Sequence, residues 1–163
     1  MLILLPLLLL CYGVGNVHCV HENSTDLHSL LDFKQGVTSD PYGVLNSWNT
    51  KFHYCRWNGV MCTLRPPRRV SRLNLTGQSL AGNITSSLAN LTFLSVLDLS
   101  FNSFFGQLPS LNNLQQLETL YLNGNSLEGN IPDGLTNCSK LTLLDLHSNQ
   151  LSGTIPPKVG SLY

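Results

Sequence analysis

Leu120-Tyr-Leu-Asn-Gly-Asn-Ser-Leu-Glu-Gly-Asn-Ile-Pro132 decides how the rest of the chain is read. Its Leu120-x-Leu122-x-x-Asn125 core recurs as Leu97-x-Leu99-x-x-Asn102 and as Leu144-x-Leu146-x-x-Asn149, at steps of 23 and 24 residues. A further step of 24 backwards reaches Leu73-x-Leu75-x-x-Gln78, with Gln in the Asn slot. Each unit continues in register. Leu80, Phe104, Leu127 and Leu151 follow, then Gly82, Gly106, Gly129 and Gly153, then Ile84, Leu108, Ile131 and Ile155. Pro109, Pro132 and Pro156 close three units, and Thr85 stands in the first. Cys138 fills the slot held elsewhere by Leu91, Leu114 and Leu162.

A period of this length with this order of Leu and Asn is the leucine-rich repeat. Its physics follows from the residue types. Side chains alternate along a strand, so a pair such as Leu97 and Leu99 points inward together. One unit cannot bury that face alone, and stacked units share a continuous core. The Asn closes the turn after the strand, where its amide can bond backbone groups the turn leaves unpaired. The Gly relaxes the backbone before the next extended segment. The Pro fixes φ where no ladder hydrogen bond is needed.

Composition agrees. Leucine fills 34 positions and asparagine 16, while only 11% of residues are charged. Nine basic and nine acidic residues cancel. That balance argues against a general nucleic-acid binder, which needs an excess of Lys and Arg. The leucine content argues against disorder. Beyond the first ten residues, no apolar run approaches the ~20 residues of a membrane span.

Residues 1–10, Met-Leu-Ile-Leu-Leu-Pro-Leu-Leu-Leu-Leu, have the length of a signal-peptide apolar region, and Val17-His18-Cys19 offers a cleavage end. Residues 1–19 are therefore expected to be removed on secretion. Glycosylation acceptors Asn-x-Ser/Thr occur at Asn23, Asn74, Asn83, Asn90 and Asn137. Cys11 and Cys19 leave with the signal. Cys55-Arg-Trp-Asn-Gly-Val-Met-Cys62 suits a small disulfide loop in an oxidising compartment, with half of a zinc site as the alternative. Cys138 is left over, either a reactive thiol or a small buried apolar residue, and its place in the Leu column favours burial.

Asn125-x-Leu-x-Gly-x-Ile-Pro132 and Asn149-x-Leu-x-Gly-x-Ile-Pro156 resemble the plant extracellular subtype of leucine-rich repeat. Residues 24–62 resemble that family's N-terminal cap. Leu27, Leu30, Leu31 and Lys34 place an apolar stripe with a polar flank at helical spacing. Ser24 or Thr25 can cap the start of this helix and Gly36 its end. Asp40-Pro-Tyr-Gly43 opens a second helical turn, and Trp48, Trp57 and the Cys55–Cys62 loop finish the cap. The resemblance implies buried tryptophans, a paired Cys55 and Cys62, and shielding of the first repeat's open edge. The fold class implied is an α/β solenoid: a right-handed leucine-rich repeat horseshoe segment behind a helical, disulfide-bonded cap. The expected divisions are a signal peptide at 1–19, a cap at 20–66 and four repeats at about 70–93, 94–116, 117–140 and 141–163.

The resemblance is nearest to the start of the ectodomain in plant leucine-rich repeat receptor-like kinases. It implies a peptide, protein or cell-wall-derived ligand, a co-receptor ectodomain, and a place on the extracellular side of the plasma membrane or in the secreted fraction. It implies no cofactor and no nucleic-acid partner. Membrane attachment would come only through a segment absent from this chain. The chain stops at a repeat boundary without a polar end cap, so a piece of a longer ectodomain is expected. A short secreted scaffold, decoy or inhibitor of cell-wall-degrading enzymes is the alternative.

Binding in this architecture uses the exposed strand positions of the concave face. One column reads Asn74, Asp98, Tyr121 and Asp145, the next Thr76, Ser100, Asn123 and His147, flanked by Arg72, Val96, Thr119 and Leu143. Tyr121 is the expected anchor, since an exposed aromatic offers area at low entropy cost. Asp98 and Asp145 would take a basic group. Asn102, Asn125 and Asn149 are assigned to structure. Arg65-Pro-Pro-Arg-Arg-Val-Ser-Arg72 is a second candidate, for an acidic partner, through Arg65, Arg68, Arg69 and Arg72. His18, Cys19 and His21 straddle the expected cleavage site, so no metal site is assigned. No G-x-S-x-G, H-E-x-x-H, phosphate-cradling or kinase motif occurs, so no enzyme activity is expected.

Overall fold

A computed structural model of the chain describes residues 24–156. The expected signal peptide, His18, Cys19, His21, Asn23 and the tail from residue 157 lie outside these residues.

The described residues open with helix α1 (Ser24–Gly36), which passes directly into strand β1 (Val37–Ser39). Leu30 and Phe33 of α1 are fully buried, and Leu27 and Leu31 pack against the same core. Lys34 reaches back from the last turn and donates its Nζ to the carbonyl of Trp48 at 2.9 Å. Asp40 then starts a short 3-10 turn (Val44–Ser47) by accepting the backbone N–H groups of Val44 and Leu45, both at 2.9 Å. Asp fits here because its carboxylate satisfies two donors that such a turn leaves free.

Trp48 and Trp57 are buried and stacked, with ring centroids 5.4 Å apart. Each indole N–H finds a carbonyl: Asn58 for Trp48, Asn49 and Phe52 for Trp57. Cys55 and Cys62 form a disulfide, which removes the zinc alternative.

The cap ends in strand β2 (Val60–Cys62), and the repeats follow as β3 (Val70–Asn74), β4 (Ala81–Asn83), β5 (Val96–Asp98), β6 (Ser103–Gln107), β7 (Thr119–Tyr121), β8 (Ser126–Asn130), β9 (Leu143–Asp145) and β10 (Gln150–Ser152). They make two sheets, β2-β3-β5-β7-β9 and β1-β4-β6-β8-β10. Within each sheet the repeat strands are parallel, and a cap strand joins antiparallel at one end. The cap therefore pairs with the first repeat in both sheets and covers both edges there.

Between the sheets runs the leucine spine. Leu73, Leu97 and Leu120 are fully buried, as are Leu99 and Leu122 two residues on. The asparagines stitch adjacent turns together. Asn102 accepts the N–H groups of Gln78 (3.1 Å) and Leu80 (2.9 Å) through Oδ1, and donates Nδ2 to the carbonyls of Leu75 (2.7 Å) and Leu99 (3.0 Å). Asn125 and Asn149 repeat this one and two units on, bonding Phe104 N and Leu127 N at 2.9 Å each. Gln78 is too long for that geometry, and its amide instead bonds the Thr76 carbonyl at 2.9 Å.

The segments that carry the repeat glycines pair into a second sheet, which the repeat pattern did not announce. Gly82 has φ +142° and lies against the cap. A Cβ built there would stand 2.8 Å from the Val37 Cα and nearer still to the Gly36 carbonyl oxygen. Only glycine lets β1 and β4 come together. Cys138 is buried and donates its thiol to the Leu111 carbonyl at 3.4 Å, as a spine residue.

Candidate functional site

Register places the candidate binding residues. Arg72, Val96, Thr119 and Leu143 stand side by side across β3, β5, β7 and β9, and Asn74, Asp98, Tyr121 and Asp145 form the next row. Because Leu73, Leu97 and Leu120 between them point into the core, both rows face out from the β2-β3-β5-β7-β9 sheet, the expected concave face. Arg72 and Asn74 are exposed, while Val96, Asp98, Thr119, Tyr121 and Asp145 are half-buried by their neighbours. Exposed Leu143 adds an apolar group at the far end.

The third column departs from the expectation. Ser100 and Asn123 are buried and offer no surface to a ligand. Strand alternation stops after Asp98 and Tyr121, and the chain curls into the turn that Asn102 and Asn125 close. Ser100 is consumed internally: its hydroxyl bonds Asp98 Oδ1 at 2.6 Å and Thr76 Oγ1 at 2.8 Å. Thr76 is half-buried and His147 exposed. His147 Nδ1 lies 2.6 Å from Asp145 Oδ1, so these two form one polar unit at the edge of the face.

Among the basic residues, Arg69 is also reassigned. Its guanidinium grips the Asp26 carboxylate with two hydrogen bonds, 2.8 and 3.0 Å, and Asp26 accepts the Val70 N–H at 2.8 Å as well. Asp26 is fully buried in the first turn of α1. The hydrogen bond to Asp26 holds the Arg69 guanidinium above its already high range, and burial opposes this more weakly. Arg69 also lies 4.6 Å over the ring of Phe93. It ties the cap helix to the first repeat strand and is not free for a partner. Arg65, Arg68 and Arg72 remain exposed. Nothing in the period of the repeats marks Asp26, because an acidic residue early in a helix reads as solvated and its partner is 43 residues away.

Of the glycosylation acceptors, Asn74, Asn83, Asn90 and Asn137 are all exposed. Asn74 sits on β3 of the concave sheet itself.

The fold defines a class: a leucine-rich repeat segment closed at one end by a disulfide-bonded cap. Comparison with known proteins places it further. The profile described as "Leucine rich repeat N-terminal domain" matches residues 23–63, and "Leucine Rich Repeat" matches 93–114, 116–138 and 140–162. The receptor-like serine/threonine-protein kinase EFR of Arabidopsis thaliana is 44% identical over 89 residues, which is 54% of this chain and 8% of EFR. A chain in the crystal structure of the BIR3–SERK2 complex, also from Arabidopsis thaliana, superposes with a TM-score of 0.75 at 37% identity, covering 84% of this chain and 76% of that one. The plant peptide hormone receptor RGFR1, solved in complex with RGF2, aligns with a TM-score of 0.57 at 35% identity, over 66% of this chain and 20% of its own. The chain belongs to the family of plant leucine-rich repeat receptor ectodomains.

Proposed function

We propose that this chain is a recognition module on the extracellular side of the plant cell, and that it binds a peptide or protein ligand on its concave sheet. The observation that carries the reading is the in-register alignment of Val96 and Asp98, Thr119 and Tyr121, and Leu143 and Asp145 on three adjacent strands, between the inward leucines. Tyr121 in the centre supplies an aromatic anchor, and flanking Asp98 and Asp145 supply negative charge for a basic group. Relatives crystallised as RGFR1 with RGF2 and BIR3 with SERK2 support a peptide ligand and a partnering ectodomain. The module itself binds and does no chemistry. The kinase in the name of EFR belongs to parts of that protein outside the matched 8%.

Asn74 bounds the face. A glycan there would cover the concave surface of the first repeat and confine a ligand to β5, β7 and β9. Panning a displayed random-peptide library against the secreted chain, then footprinting an enriched peptide by hydrogen–deuterium exchange, tests this. Protection of Val96–Asp98, Thr119–Tyr121 and Leu143–Asp145 is expected. Failure to enrich any peptide, or protection confined to the outer sheet, would overturn it.

A further inference from the structure

Net neutrality hides a sharp segregation of charge. Between Asp40 and Asp98 the chain has no acidic residue, yet Lys51, Arg56, Arg65, Arg68, Arg69 and Arg72 fall there, six of its nine basic residues. Arg69 is consumed by Asp26. Lys51, Arg56 and Arg68 line one groove of about 610 Å³ beside the Cys55–Cys62 disulfide, together with Phe52, His53 and Pro66. That volume lies within the ~300–1,000 Å³ range of small-ligand sites. No carboxylate lines this groove, and among the described residues none pairs with its three cations.

One further feature, the exposed Phe52 ring, gives the groove chemistry beyond charge. His53 accepts the Cys55 N–H at its Nδ1, at 3.2 Å. In the neutral ring this leaves the proton on Nε2. That Nε2 is buried without a hydrogen-bond partner. It lies beneath the groove surface and is not reached from it. Phe52, meanwhile, is 55% exposed next to the cations, where a solvated loop would favour a polar residue.

We propose that this groove binds an acidic oligosaccharide through the carboxylates of its uronate rings. Planar guanidinium groups take carboxylates bidentately, which suits Arg56 and Arg68, and Lys51 adds a point charge. The Phe52 ring offers an apolar surface to the C–H face of a sugar. An anion without a ring would use the cations and leave Phe52 idle. The site lies in the cap and uses none of the concave residues, so it stands or falls independently of the peptide-binding reading.

Calorimetric titration of the secreted chain with de-esterified oligogalacturonate tests the proposal, with a neutral cello-oligosaccharide, inorganic sulfate and a tyrosine-sulfated peptide as comparison arms. Oligogalacturonate is expected to bind best, and more weakly as salt is raised. Lys51→Ala/Arg56→Ala/Arg68→Ala should lower that affinity by on the order of a hundredfold, as loss of several charge-assisted contacts implies. Phe52→Ala should weaken oligogalacturonate but leave sulfate unchanged. Arg65→Ala and Tyr121→Ala should have no effect. Near-ultraviolet dichroism of the stacked Trp48–Trp57 pair confirms that each variant keeps its cap. Absence of oligogalacturonate binding, equal binding by the triple variant, or tighter binding of the sulfated peptide would overturn the proposal.

Discussion

At the scale of single residues, Asp26 ties the cap to the first repeat. Its carboxylate is fully buried and joins α1 to β3 through Arg69 and the Val70 N–H. Asp26→Ala would leave a guanidinium only 12% exposed without its counter-charge. Breaking a buried ion pair from one side costs about 3–5 kcal/mol. Urea denaturation should show a loss of that order, with Asp26→Asn falling between, since an amide oxygen can still accept from Val70. A loss below ~1 kcal/mol, the usual worth of an exposed pair, would mean the contact is incidental. Cys138 makes a pH prediction. Burial pushes its thiol up, so the folded chain keeps a proton that the unfolded chain releases. The stability this contributes is complete below the unfolded thiol value and is lost as pH rises toward the folded one. Melting curves of wild type and Cys138→Ala should therefore converge from neutral to alkaline pH. Curves that stay parallel would contradict a thiol held neutral by burial.

At the scale of elements, the inner sheet was legible because Leu97, Leu99, Asn102 and their equivalents recur with almost no exceptions. The outer sheet was not. Ala81–Asn83, Ser103–Gln107 and Ser126–Asn130 mix small, polar and apolar residues, and no alternation announces them as strands. Their pairing comes from stacking. Once the inner strands and the asparagines set the spacing, these backbones lie within reach of one another. Glycine placement records this closeness. Gly82→Ala would drive a Cβ into the Gly36 and Val37 backbone, whereas at Gly77, with φ +66°, a Cβ would meet nothing within 4 Å. Gly77→Ala should therefore cost only the left-handed strain, about 1–2 kcal/mol. Gly82→Ala should cost several kcal/mol, because neighbouring backbone must also shift. Equal thermal shifts for the two variants would show that β1 does not seal against β4 in solution. The candidate site was legible in part for the same reason. Strand alternation identified Asp98 and Tyr121, but it could not show where the strand ends, and so it carried Ser100 and Asn123 onto a surface they do not reach.

At the scale of the molecule, charge is divided between two regions. The cap concentrates positive charge around a groove, and the concave sheet carries Asp98, Tyr121 and Asp145. Whole-chain neutrality concealed this, because the count of nine against nine says nothing about where the charges fall. The central claim is that recognition of a peptide runs through the concave sheet. The most direct test is the affinity of one library-selected peptide for two variants, Tyr121→Ala on the concave face and Phe105→Ala on the outer sheet. Loss of a central aromatic anchor typically costs about 2 kcal/mol or more, over tenfold in Kd. That loss is expected for Tyr121→Ala, with affinity unchanged for Phe105→Ala; the reverse pattern would place recognition on the outer sheet instead.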